Sequence, residues 1–175
     1  MKLDFAKSLK AWNPPVFKVL ANNDTASAPG HQGGIVIPSS LRWLFPKLIN
    51  HATSENPTVD HRIDVELYAE STHLGDAKPR YQYQTWGGVR SPESRVTDQL
   101  GPLRKRATGG DILIIQKSRL DSNRYRFTLV TEKSASFAEI KKLVGKRRWG
   151  NLYENEADLN DPYTNTKLLF VWVRN

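Results

Sequence analysis

The chain has 175 residues, enough for one domain with its own hydrophobic core, and no cysteine, which excludes disulfides, thiolate metal sites and a cysteine nucleophile. Lys and Arg number 26 against 18 for Asp and Glu, a formal net charge of +8, so the surface should attract polyanions, of which nucleic acid is the commonest. No stretch approaches the roughly 18 apolar residues of a membrane span, and the start Met1-Lys2-Leu3-Asp4 lacks a signal pattern, so a cytoplasmic protein with no membrane partner is expected.

Residues 4–12 place Phe5, Leu9 and Trp12 on one helical stripe with Asp4 as N-cap, and Asn13-Pro14-Pro15 ends that helix. Residues 16–20 read as a strand. Residues 21–34 are polar and turn-rich, long for a mere connection, and long loops on a rigid scaffold often carry function. Residues 35–37 form a short strand closed by Pro38, after which Ser39 or Ser40 caps a helix through Leu41, Trp43, Leu44 and Phe45. Residues 62–70 alternate, with Ile63, Val65, Leu67 and Ala69 on one face and Arg62, Asp64, Glu66 and Tyr68 on the other, the pattern of a half-buried strand. Residues 80–86 are another strand, followed by a second polar loop from Gly87 to about Thr97. Residues 111–117 and 125–131 form a hairpin with Asp121-Ser122-Asn123 in its turn, 136–144 a helix, and 168–174 a last strand. That strand stops so near the final residue that the chain reads as a domain cut from something longer. Short strands dominate, which predicts a mainly β fold with a few short helices, a closed or nearly closed antiparallel barrel with helical plugs.

Catalysis has little to work with. A metal-dependent nuclease needs clustered carboxylates beside a lysine. Glu139-Ile140-Lys141 is a local candidate, but Ser136-Phe137-Ala138-Glu139 is a capping box in which Glu139 returns to the Ser136 N–H, with Phe137, Ile140, Leu143 and Val144 as the buried face. Asp64 and Glu66 share a strand face and could hold a metal, although carboxylates so placed more often face water or pair with a cation such as Arg62. The four histidines, His31, His51, His61 and His73, have no ligand spacing. No catalytic residue, metal or cofactor is assigned.

DNA binding is better supplied. The first polar loop offers Lys18 at its base, then Asn23, Asp24, Thr25, His31 and Gln32; the second offers Trp86, Arg90, Ser91, Glu93, Ser94 and Arg95, with Arg80 on the strand that leads into it. Arg suits guanine, Asn or Gln suits adenine, and a carboxylate accepts from the cytosine amino group. A carboxylate repels phosphate, so Glu93 in the cationic run Arg90-Ser91-Pro92-Glu93-Ser94-Arg95 suits base reading; the alternative is a surface Glu93–Arg95 or Glu93–Arg90 pair worth little. The clusters Arg104-Lys105-Arg106 and Lys146-Arg147-Arg148 are solvated faces unless DNA lies near, in which case Arg104 and Lys105 would contact phosphates. Two other readings stand beside this one: a small stand-alone nuclease using Asp64, Glu66 or Glu139, and a barrel binding single strands or RNA through Trp86 and Tyr83.

The ordered motifs Asn23-Asp24-Thr25, Gly30-His31-Gln32, Ile37-Pro38-Ser39, Leu44-Phe45-Pro46, Ile49-Asn50-His51, Asn56-Pro57 and Glu93-Ser94-Arg95-Val96-Thr97 resemble the N-terminal effector-binding domain of EcoRII-type restriction endonucleases. The resemblance covers roughly residues 16–117. It implies a DNA-binding pseudobarrel, a distorted β-barrel in which two arms grip the duplex and enter the major groove. Residues 18–32 and 86–95 would be those arms. His31, Glu93 and Arg95 match positions implicated in DNA binding, and Lys18 a basic position of the first arm. The chain departs from the family at Ser94, where a basic residue is usual, at Val36 in place of an aromatic, and at Trp86 in place of an arginine. The resemblance thus implies one DNA-recognition domain over residues 1–175, the N-terminal part of a longer restriction endonuclease. It would bind double-stranded DNA at a C·G-rich, CCWGG-like site in a prokaryotic cytoplasm, need no cofactor to bind, and leave cutting to a covalently linked nuclease domain.

Overall fold

An uninterrupted apolar run such as Ile112-Leu113-Ile114-Ile115 suits a strand covered on both faces. In the computed structural model, which describes residues 10–28 and 33–153, that run lies inside the larger of two sheets. The strands in chain order are β1 (Val16–Val19), β2 (Ile35–Ile37), β3 (Thr58–Arg62), β4 (Asp64–Ala69), β5 (Thr72–Ala77), β6 (Arg80–Gln84), β7 (Glu93–Thr97), β8 (Ile112–Lys117), β9 (Arg124–Val130) and β10 (Trp149–Asn151); the helices are α1 (Gly101–Arg104) and α2 (Phe137–Val144). One sheet has six strands in the order β10-β1-β8-β9-β4-β5, the other four in the order β2-β7-β6-β3.

Strand alternation explains the layers. Leu113 and Ile115 point toward the smaller sheet and share one buried cluster with Val65, Leu67, Phe127 and Val96. Ile112 and Ile114 point the other way, into a second cluster with Phe17, Val130 and Leu152, closed by Ile140 and Val144 of α2. The two sheets are joined by aromatic stacking. The Phe45 ring lies 4.6 Å from that of Tyr81 on β6 and 5.0 Å from that of Tyr125 on β9. The Tyr125 hydroxyl donates to the Leu44 carbonyl at 3.0 Å.

The mainly β architecture agrees with the sequence reading; closure does not. Among the described residues the two sheets share no ladder, and β4 pairs with β9 in parallel while the other ladders are antiparallel. A parallel neighbour requires a long connection, here the chain through β5 to β8. The second polar loop is shorter than expected: residues 93–97 form β7, paired with both β2 and β6. Ser39 and Ser40 do not cap an α-helix; they lie inside the 3-10 helix Ser39–Leu44, which has no side-chain cap bond. Nor does Ser136 cap α2 through its side chain. Its N–H donates to Glu70 Oε1 at 2.7 Å, so a carboxylate from the end of β4 takes the place expected for Glu139. Leu143, expected inside, is 36% exposed. Strands β3, β5 and β10 and helix α1 had no counterpart in the sequence reading. Phe5, Leu9 and residues 168–174 lie outside the described residues. Among the described residues no helix is long and apolar enough to cross a membrane.

Candidate nucleic-acid interface

Strand pairing fixes where the two polar loops sit. Ile35 pairs with Val96 and Ile37 with Ser94, so the first loop enters the smaller sheet beside the end of β7 and the second leads into its start. The outward face of β7, carrying Glu93, Arg95 and Thr97, lies between the loops. From Glu93 to Thr97 that is about 13 Å at the rise of an antiparallel strand, close to the roughly 12 Å width of a B-DNA major groove.

The first loop is anchored by a buried ion pair. Lys18 Nζ lies 2.7 Å from both oxygens of Asp24, and both side chains are almost fully buried. Asp24 also accepts the N–H of Ala21 at 2.8 Å and of Val36 at 2.9 Å, so a single carboxylate ties β1, the loop and β2 together. Burial pushes the Lys18 ammonium below the ordinary lysine value, outweighing Asp24, and the charges of Arg148 and Arg95 act in the same direction. Thr25 is buried too, its hydroxyl donating to the Asn22 carbonyl at 2.8 Å. Arg104 crosses from α1 to brace the same loop: Nε donates to the Asp24 carbonyl at 3.0 Å and Nη2 to that of Thr25 at 2.7 Å. A Cβ placed on Gly33 would come within 2.9 Å of Arg104 Nη1, so the returning limb also runs against this guanidinium. Arg104→Ala should therefore speed amide hydrogen exchange at Asp24 to Ala26 and leave β8 and β9 protected.

The second loop turns through Trp86, Gly87 and Gly88, at φ 57°, 60° and 82°. Val89 at its tip is 89% exposed. The Arg90 guanidinium stacks on the Trp86 ring, 3.4 Å from its centroid. Arg42 supports the base of the loop, donating Nη2 to the Pro92 carbonyl at 3.1 Å. On β7, Arg95 Nε donates to Glu93 Oε1, both side chains partly exposed, so the Glu93–Arg95 pair given above as the alternative to base reading is formed in the free domain. Gln82 and Gln84 pair with Arg95 and Glu93 across the ladder and so share their face.

The residues singled out by sequence therefore divide. Asn23, Arg90, Ser91 and Lys105 are exposed, and Trp86, Glu93 and Arg95 partly so. Lys18, Asp24, Thr25 and Ser94 are buried. The first three build the root of the loop, Lys18 at its base as expected but turned inward with Asp24 and Thr25 where contacts to DNA were expected, and Ser94 takes an inward place on β7. Arg104 is committed to backbone carbonyls where a phosphate contact was expected. Arg80 is exposed but shares Asp98 with Arg62. His31 and Gln32 lie outside the described residues.

Three-residue basic runs also split by position. Arg147 donates to the carbonyls of Leu143, Val144 and Asn151 and lies over Phe17, so it ends α2. Its neighbour Arg148 is exposed and near enough to Lys18 to influence it. Spacing alone cannot separate Arg147 from Arg148, because the distinction depends on which of them meets the carbonyls of Leu143, Val144 and Asn151 in space.

The other readings lose Asp64, Glu66 and Tyr83. Glu66 is held by Arg124 and by Arg126, whose Nε and Nη2 donate at 3.0 and 2.7 Å, and Asp64 lies 3.3 Å from Lys78 Nζ. Cations already occupy the face on which a metal was considered, and the partner is not the Arg62 expected. Tyr83, offered as an exposed stacking platform, is buried under Arg42.

A family model described as restriction endonuclease EcoRII, N-terminal, matches residues 14–159. The chain belongs to this family. Among solved structures, the chain is similar to the UbaLAI restriction endonuclease B3 domain crystallised with cognate DNA, at 20% identity over 71% of this chain and 74% of that one, with a TM-score of 0.46. It is also similar to the N-terminal domain of Helicobacter pylori LlaJI.R1, at 9% identity over 81% of this chain and 98% of that one, with a TM-score of 0.48. A comparison with curated proteins gives no match.

Proposed function

We propose that this member of the EcoRII N-terminal family binds double-stranded DNA as the target-recognition or effector domain of a type II restriction endonuclease and does not itself cut. The two loops enter the major groove and read a short C·G-rich, CCWGG-like site. A covalently linked nuclease domain performs cleavage, and binding needs no cofactor.

The observation that carries this reading is the Glu93–Arg95 pair on the strand between the two loops. A guanidinium and a carboxylate fixed side by side match the two partners of a C·G pair, the guanine acceptors and the cytosine amino donor. Their mutual contact holds both rotamers before DNA arrives, which lowers the ordering cost of binding. Family membership and the net charge of +8 support the same partner.

Selection from random duplexes with the purified chain should return one short site. Glu93→Ala or Arg95→Ala should cost about 1–3 kcal/mol on that duplex and relax preference at a C·G pair. Lys105→Ala, which removes an exposed cation, should instead weaken every duplex alike and reduce the salt slope by about one. Equal affinity across the panel would refute sequence reading, and site-specific cleavage of plasmid by this chain with magnesium would refute the division of labour.

A further inference from the structure

The second loop puts a tryptophan where the family resemblance expects an arginine, and an arginine four positions later stacks upon it. Accepting the duplex-binding reading above, we propose that Arg90 reads a guanine in the major groove and that Trp86 is its positioning residue.

Guanidinium groups near the two loops differ in how many of their donors the fold already engages. On this side of the molecule Arg104 donates to the carbonyls of Asp24 and Thr25, Arg80 pairs with Asp98, Arg42 donates to the Pro92 carbonyl, and Arg95, the β7 reader proposed above, keeps its Nε on Glu93. Arg90 has no hydrogen bond or ion pair among the described residues; its contact is the Trp86 ring beneath it. Stacking occupies the face of the guanidinium plane and leaves its N–H edge open, the edge that takes guanine O6 and N7 together. A lysine reaches the same acceptors with an ammonium that has neither a plane to stack nor a fork to present, so it is not held in place by the ring.

The backbone is shaped to hold the stack. Trp86 has φ 57°, in the left-handed region that a bulky residue avoids, and two glycines continue the turn. That turn brings residue 90 back over the residue 86 ring at the loop's most exposed part, beside Val89 at 89% exposure. Ring and guanidinium thus form one flat, stiff projection, and a base-reading group gains selectivity from being held before contact.

The test compares wild type, Arg90→Lys, Arg90→Ala, Trp86→Phe and Trp86→Leu on the selected duplex, on each of its single base-pair variants, and on duplexes with 7-deazaguanine at one guanine at a time. Arg90→Lys should lose about 10- to 100-fold in affinity for the selected duplex and its preference at one G·C pair, while non-specific binding and the salt slope stay as they were. Wild type should be weakened by 7-deazaguanine at that same pair, and Arg90→Ala, which has no donor to lose, should be indifferent to it. Trp86→Leu should lose roughly 3- to 30-fold at that pair, and Trp86→Phe, which keeps a ring, should recover most of it. Should Arg90→Lys discriminate at every position as wild type does, or Arg90→Ala weaken all duplexes equally, Arg90 would be a phosphate contact and the assignment wrong. A wild-type chain without preference among duplexes would overturn the duplex-reading proposal itself, an outcome distinct from either.

Discussion

Asp24→Ala should destabilise the domain by about 3–5 kcal/mol, because it strands the Lys18 ammonium in the interior. Lys18 is buried, with its Nζ 2.7 Å from the Asp24 carboxylate, and burial already pushes its proton affinity down. Without Asp24 the amine must lose its proton or draw in water, and the N–H groups of Ala21 and Val36 lose their acceptor. Denaturant unfolding followed by far-UV circular dichroism measures the loss as a lower midpoint at unchanged slope. The double variant Lys18→Met with Asp24→Asn removes both charges and should regain much of the stability, since replacing a buried pair costs far less than breaking it. If Asp24→Ala alone costs under about 1 kcal/mol, the pair is solvated and the first loop is not anchored as described. The functional consequence follows from the same bonds: with its root loosened, the first loop should bind the selected duplex more weakly even under conditions where the domain stays folded.

Phe45→Ala should have a comparable effect, about 3–5 kcal/mol, through packing. The Phe45 ring is 4% exposed and lies against Tyr81 of the smaller sheet and Tyr125 of the larger. Its removal opens a cavity between the two sheets and takes away both stacked contacts. Tyr125→Phe keeps the ring and removes the bond to the Leu44 carbonyl, so it should cost only about 1 kcal/mol. Leu143→Ala, at a position 36% exposed, should cost less than Phe45→Ala by the same unfolding measurement. A Phe45→Ala loss no larger than that of Leu143→Ala would mean the aromatic joint does not hold the sheets together.

Much of this architecture was legible in the chain itself. The alternation of Ile63, Val65 and Leu67 against Asp64 and Glu66 assigned the faces of β4 before any partner was known, since successive side chains on a strand point to opposite sides. The hairpin of 111–117 with 125–131 was legible in the same way, and the structure adds α2 as the cover on its second face. The polar loop before β2 and the grouping of Arg90, Glu93 and Arg95 were likewise visible, because turn residues and charges stand out locally.

Tertiary structure decided the rest. Ser94 sits at an inward position of β7, and a polar residue there breaks the alternation that would have announced the strand. Lys18 is charged within a strand and buried because Asp24, six residues on, folds back to meet it. Arg104 joins the first loop from eighty residues away. Sequence periodicity records which way each side chain points, but not which distant group it will meet. The division of arginines into braces and free readers is therefore set by pairing in space, where each guanidinium's donors are either satisfied by the fold or left for a ligand.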